Sequence, residues 1–370
     1  MVLLSVVDIF THHSYSCGVG FNSLKDLKMA PKKGGKDKKE KKPSEDDEKG
    51  PLQSKAFTKD LPTECANLQL EPLPLVISSL DRGEEGDKAF LRMAVHSGIA
   101  PNFTPKHTQA LTAALLPYSY LQRLCFWSVG VADAGCVALG KYLIANRSVH
   151  TLELTDCGVG TAGCKILGEA LERNATLLTL RLDHNRSIGS PGAAVLGDCL
   201  CRNRALQTVS LTFCGLEGDV GAQAVVSGFF QAPMLNVLEL KGNRFGVDGI
   251  LTILRTLRSC AAPLFRIDLA DTGFGMQPEV HAAIEDCFLN NKTCCEYALA
   301  GNEIGDSTAY RWLNMIKSEE CKTHLIYVDV TNRIDPLLFK QIGDETAKNK
   351  KDWLKAQKKK GKGGKGKKKK

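Results

Sequence analysis

Leu121-Gln-Arg-Leu124-Cys-Phe126, Val149-His-Thr-Leu152-Glu-Leu154 and Leu177-Leu-Thr-Leu180-Arg-Leu182 are three copies of one pattern, LxxLxL. Further copies begin at Leu206, Leu235, Leu264, Cys294 and Leu325, so the steps run 28, 28, 29, 29, 29, 30 and 31 residues. Self-similarity at such a period marks a stacked array. Each unit continues into Cys, Asn or a substitute: Cys157, Asn185, Cys214, Asn243, Thr272, Asn302. A glycine-containing turn follows, then a helical stretch such as Gly163-Cys-Lys-Ile-Leu167-Gly-Glu-Ala-Leu171. A fainter copy starts near Leu91, with Ala110-Leu111 and Ala114-Leu115 as its helix.

The two leucines of LxL lie on one face of a short strand, because side chains alternate along extended backbone. Leu167 and Leu171 are four apart and share a helix face. One strand–helix unit cannot bury both faces alone, so the copies must stack on a continuous core. Asn at the ninth position can hydrogen-bond backbone where the chain leaves the strand, and Cys is a small apolar substitute there. These residues resemble the leucine-rich repeat family in its ribonuclease-inhibitor-like subtype. The resemblance implies an α/β solenoid: a curved horseshoe with a parallel β-sheet on the concave face and helices on the convex face. Val129 and Thr272-Gly-Phe-Gly-Met-Gln-Pro278 depart from the pattern and blur the edges of the array.

The chain has 370 residues, 43% of them hydrophobic, enough for a core and too many for wholesale disorder. No apolar run approaches the ~20 residues that span a bilayer, so no membrane span is expected. The net charge of +8 is unevenly spread. Residues 348–370 carry 13 Lys and one Asp, and residues 32–42 carry seven Lys, so the body between them is acidic. These compositions divide the chain into a disordered Lys-rich segment 1–51, an N-terminal cap with a degenerate repeat 52–120, and about eight repeats over 121–335. A C-terminal cap 336–347 and a disordered Lys/Gly-rich tail 348–370 follow. Met29 opens a Lys/Gly-rich stretch resembling the far end, so residues 1–28 read as an upstream extension of the gene model. The first ten residues lack the basic start of a signal peptide, and none of the 14 Cys forms a CxxC pair. Reduced thiols in a cytoplasmic compartment are expected.

Several motifs look chemical and are explained better by the repeat. Gly158-Val-Gly160-Thr-Ala-Gly163 spells the dinucleotide fingerprint, with Asp183 twenty residues on. Gly163 nevertheless aligns with Gly135, Gly192, Gly221 and Gly249, so it is a turn-to-helix residue of every unit. Gly135-Cys-Val-Ala-Leu-Gly140-Lys141 imitates a phosphate loop but ends in Tyr142 inside a helix. Cys136 and Cys164 share a repeat position and are read as apolar packing. Five formal glycosylation sequons, at Asn102, Asn146, Asn174, Asn185 and Asn291, carry no meaning without a secretory route. The eight histidines form no ligand cluster. No cofactor, no metal and no enzymatic activity are expected.

Side chains alternating with the buried leucines face the concave bowl. They include Trp127, Glu153, Asp156, Arg181, Asp183, Phe213, Glu239, Lys241, Asp268, Asp271 and Asp329, which lean acidic. Eight strands about 4.8 Å apart make a bowl of roughly 35–40 Å, suited to a protein surface rather than a metabolite. Trp127 and Phe213 are its aromatic candidates for binding. The expected function is a noncatalytic scaffold gripping a protein partner, with basic ends that attract acidic polymers such as tubulin tails or nucleic acid. The Lys/Gly-rich ends are similar to those of ciliary or cytoskeletal leucine-rich repeat proteins. A nuclear regulator, either a small-GTPase activator or a chromatin-associated factor, is the alternative. The tail is also expected to touch the acidic face loosely and in a salt-sensitive way.

Overall fold

The computed structural model describes residues 45–80 and 89–363. The expectations for residues 1–44 and 364–370 lie outside the described residues. A compact unit begins at Gly50 and contains a single sheet of nine strands in strictly sequential order. The strands are β1 (Arg92–His96), β2 (Arg123–Trp127), β3 (Thr151–Thr155), β4 (Thr179–Arg181), β5 (Thr208–Ser210), β6 (Val237–Glu239), β7 (Arg266–Asp268), β8 (Glu296–Ala298) and β9 (Tyr327–Asp329). Every neighbouring pair is parallel, and Leu124, Leu152, Leu180, Val209, Leu238 and Ile267 fall in one register row. The faint copy near Leu91 supplies β1.

Helices α1 (Glu45–Asn67) and α2 (Pro74–Ser78) precede the sheet. A helix then follows each strand: α3 (Pro105–Leu115), α4 (Ala132–Ala145), α5 (Thr161–Arg173), α6 (Gly189–Leu200), α7 (Gly218–Ser227), α8 (Gly246–Leu257), α9 (Pro278–Asn290), α10 (Asp306–Lys317) and α11 (Pro336–Gly363). Strands stack about 4.8 Å apart but helices need 8–10 Å, so a one-sided array must curve with the strands inside. Leu152, Leu154, Leu167, Leu171, Leu180 and Leu182 are fully buried between the two layers.

Among the described residues no helix is long and apolar enough to cross a membrane. The first rung is closed by Phe57 of α1, Phe90 and Tyr118, with Phe90 and Tyr118 stacked at 4.1 Å. Tyr118 donates its hydroxyl to the Phe90 carbonyl at 2.8 Å.

An asparagine ladder fastens the turns. Asn185 Oδ1 accepts from the N–H groups of Cys157 and Val159, and its Nδ2 donates to the Leu154 and Leu182 carbonyls. Asn243 repeats the arrangement with Cys214, Leu216, Leu211 and Leu240, and Asn302 with Thr272, Gly273, Leu269 and Leu299. Each Asn satisfies its own repeat and the one before, so alternate repeats manage with Cys or Thr. The Cys157 and Cys214 thiols donate to the carbonyls of Phe126 and Leu182.

A second set of asparagines, Asn146, Asn174 and Asn291, ends α4, α5 and α9. With Asn185 these are four of the five sequons. All four are buried and their amides are hydrogen-bonded, so none offers an acceptor nitrogen to solvent.

Two boundaries differ from expectation. Helix α1 starts at Glu45, inside the segment read as disordered through residue 51. At the other end, helix α11 runs on through Gly363, so residues 348–363 of the expected tail are helical. Asn349 and Trp353 give the start of the Lys-rich stretch something to pack against. Asn349 is buried and donates to the Ile316 and Leu325 carbonyls, and Trp353 lies 5.7 Å from the Phe265 ring.

The thirteen described cysteines are free thiols, eleven of them buried. Burial pushes Cys136, Cys157, Cys214 and Cys287 up to about 12, and Cys164 upward as well. Thiols so far from ionisation are poor nucleophiles. Cys136 and Cys164 are both fully enclosed among core residues.

Candidate functional site: the concave face

Three register rows cross the face opposite the helices. The middle row runs Ala94, Cys125, Glu153, Arg181, Ser210, Glu239, Asp268, Ala298, Asp329. Period-two alternation also places the preceding row on this face, with Arg123, Arg266, Glu296 and Tyr327. Those four residues were not among the expected site residues.

They change the electrostatics. Arg123 pairs with Glu153, which also accepts the Trp127 indole N–H at 3.3 Å. Arg181 spans from β4 to β6 over the small Ser210, reaching Glu239 at 2.8 Å, and lies 3.6 Å from Asp183. Asp183 takes further hydrogen bonds from the Ser210 hydroxyl and the Thr212 N–H. Arg266 lies 4.0 Å from Asp268 and 3.4 Å from Glu296, with its guanidinium over the Tyr327 ring. Lys241 pairs with Asp271 at 3.2 Å. Of the carboxylates named on this face, six are paired to four cations, so the acidic lean is held in fixed pairs rather than removed.

Burial still sets the chemistry of three carboxyls. It pushes Asp268 up to about 6, against the opposing pull of the Ala270 N–H and Arg266. Asp183 and Asp329 are raised for the same reason. The folded state thus binds the Asp268 proton more tightly than the unfolded chain does. The stabilisation from that proton is full below pH ~4 and is lost as pH rises through ~6. Asp268→Asn should remove about 1 kcal/mol of the stability difference between pH ~5 and pH ~7.5. Denaturant melts at both pH values check this; an unchanged difference would mean Asp268 is ionised across the range.

A third row follows the strands in left-handed backbone. Ser128, Asp156, His184, Phe213 and Asp271 have φ between 51° and 61°, where two other repeats place Gly242 and Gly301. Each non-glycine residue there costs about 1 kcal/mol. Phe213 stacks on His184 at 5.0 Å and lies across Gly242, where an added Cβ would sit 2.1 Å from the ring. Glycine at 242 is what lets that ring lie flat. Trp127 and Phe213 are both half-buried, while Asp156 and His184 are exposed, with the Ser128 hydroxyl donating to Asp156. The face thus offers aromatic edges among fixed polar groups along the whole sheet. Among the described residues no group of three or more His, Cys, Asp or Glu is placed to hold a metal.

The Leucine Rich repeat family model matches residues 145–168 and 173–197, which hold β3 with the first part of α5 and β4 with most of α6. With nine parallel strands and their helices in register, the array is a leucine-rich repeat fold. No curated protein matches the chain. Among solved structures, the crystal structure of an isomerase from Streptomyces coelicolor A3(2) is 15% identical, with a TM-score of 0.24. The match covers 57% of this chain and 54% of that one, so this chain spans about half of that protein's length.

Proposed function

We propose that the chain is a noncatalytic scaffold whose ribonuclease-inhibitor-like repeat array grips a protein partner on its concave face. The observation that carries this reading is the left-handed row: five non-glycine side chains are kept in costly backbone, with Phe213 laid flat over Gly242. Strain retained on a solvent-facing row points to a role for the side chains it displays. Around them the cross-strand ion pairs hold a preorganised surface, which lowers the cost of association. The exposed lysines of α11, Lys351, Lys355, Lys358 and Lys359, suit an electrostatic anchor for an acidic polymer such as tubulin tails or nucleic acid. A place in the cytoplasm, at a cilium, flagellum or other cytoskeletal structure, fits those two surfaces together.

The test compares proteins co-purifying with the full chain and with its Trp127→Ala/Phe213→Ala variant. Tyr310 is exposed on α10, and a partner retained by the Tyr310→Ala control should fall at least tenfold with the concave variant. Loss with Tyr310→Ala alone would move the binding surface off the concave face.

A further inference from the structure

The edge of the sheet where strands begin changes along the array. Leu91, Gln122, His150 and Gln207, each just ahead of its strand, are exposed; Cys295 and Ile326 in the same row are buried. One position on, Thr151, Thr179 and Thr208 are half-exposed, whereas Val237 and Glu296 are each only 6% exposed. Helix α11 contacts this edge. Asn349 bonds the Leu325 carbonyl ahead of β9, Lys350 Nζ lies 3.0 Å from Glu296 of β8, and Trp353 meets Phe265 ahead of β7. The helix therefore crosses the strand starts against chain order. It continues for ten residues past Trp353, a length of about 15 Å that would pass roughly three more strands.

We propose that the shelf formed by Val237, Phe265, Glu296 and Tyr327 is a helix-docking surface with α11 as its resident occupant. The array's protein partner competes for it with an amphipathic helix that carries a cation three residues before an indole, as Lys350 and Trp353 do. This rests on the reading of the concave face as a protein-binding surface.

Three observations support a displaceable occupant. The shelf supplies aromatic side chains, Phe265 and Tyr327, where the rows of β3 to β5 present Thr, His, Gln and one aliphatic residue, Leu178. Glu296 keeps Arg266 at 3.4 Å when Lys350 leaves, so release strands no buried carboxylate. Ile342, Thr346 and Asn349 are buried and fix the base of the helix, whereas Lys350 is 36% exposed and Lys351, Lys355, Lys358 and Lys359 are exposed like charges. Release can then begin at Lys350 without disturbing the cap.

The test uses a fluorescein-labelled peptide of residues 346–360 added to the full chain. The Lys350→Glu/Trp353→Ala variant, with its shelf open, should bind the peptide at least tenfold more tightly than the unaltered chain. Adding Glu296→Lys should remove that binding. Equal binding to the unaltered and opened chains, no binding to the opened chain, or indifference to Glu296→Lys would each overturn the proposal. Hydrogen exchange on the unaltered chain gives a second readout that needs no variant. Amides of residues 354–359 should exchange at least tenfold faster than those of 342–349, and uniform protection along α11 would overturn the proposal too. Because the peptide comes from this chain, neither result depends on whether a cellular partner touches Phe213.

Discussion

Leu180→Ala should lower the stability of the array by about 2–5 kcal/mol. Leu180 is fully buried on β4, between Leu152 and Val209 in the register row. Truncation removes most of its buried side chain and leaves a cavity that neighbours on two flanking strands cannot close, because each is held by its own ladder. The loss should appear as a lower denaturant midpoint with an unchanged slope. A slope that falls as well would mean that the array comes apart in sections, which is a known behaviour of solenoids. An unchanged midpoint would place Leu180 outside the core and break the register.

Asn243→Ala should cost about 3–5 kcal/mol, rivalling the loss of a core leucine although only a small polar group is removed. Four backbone partners lose their bonds together: the N–H groups of Cys214 and Leu216, and the carbonyls of Leu211 and Leu240. All lie in a buried turn that water reaches poorly, so each carries a desolvation penalty. Asn243→Cys should recover part of the loss, because a thiol can donate to one carbonyl as Cys214 does, yet cannot accept two N–H bonds. Equal melting of Asn243→Ala and the unaltered chain would show that the ladder is ornamental.

The repeat made the fold readable in advance. LxL fixed both the strand positions and the side they bury, and the Cys/Asn position marked where each chain leaves the sheet. The alternation of Cys157, Asn185, Cys214, Asn243, Thr272 and Asn302 also carried a message that spacing alone did not disclose. One Asn serves two repeats, so only every second copy requires it. The candidate face was legible in part. Period two placed Glu153, Arg181, Glu239 and Asp268 together, and the same rule taken one step upstream would have found Arg123, Arg266, Glu296 and Tyr327. Without those arginines the bowl reads as acidic. With them it is still acidic in balance, but six of its carboxylates are held in internal pairs.

The left-handed conformation of His184 and Phe213 had a signal as well, because Gly242 and Gly301 stand at the same repeat position. The tail holds contacts that composition does not register. Thirteen lysines argue for a solvated chain, but two side chains, Asn349 and Trp353, suffice to hold the helix onto the array as far as β7. Local composition cannot register such contacts, since both partners lie more than twenty residues away in sequence.

A partner on the concave face should be captured from within it. Photo-crosslinking from a benzoylphenylalanine placed at Phe213, with a second chain labelled at Val137 on α4, tests this most directly. Val137 is 43% exposed on the helical side, so both probes reach solvent. A discrete crosslinked protein should form from position 213 and none from position 137. A crosslink from 137 with none from 213 would contradict that placement.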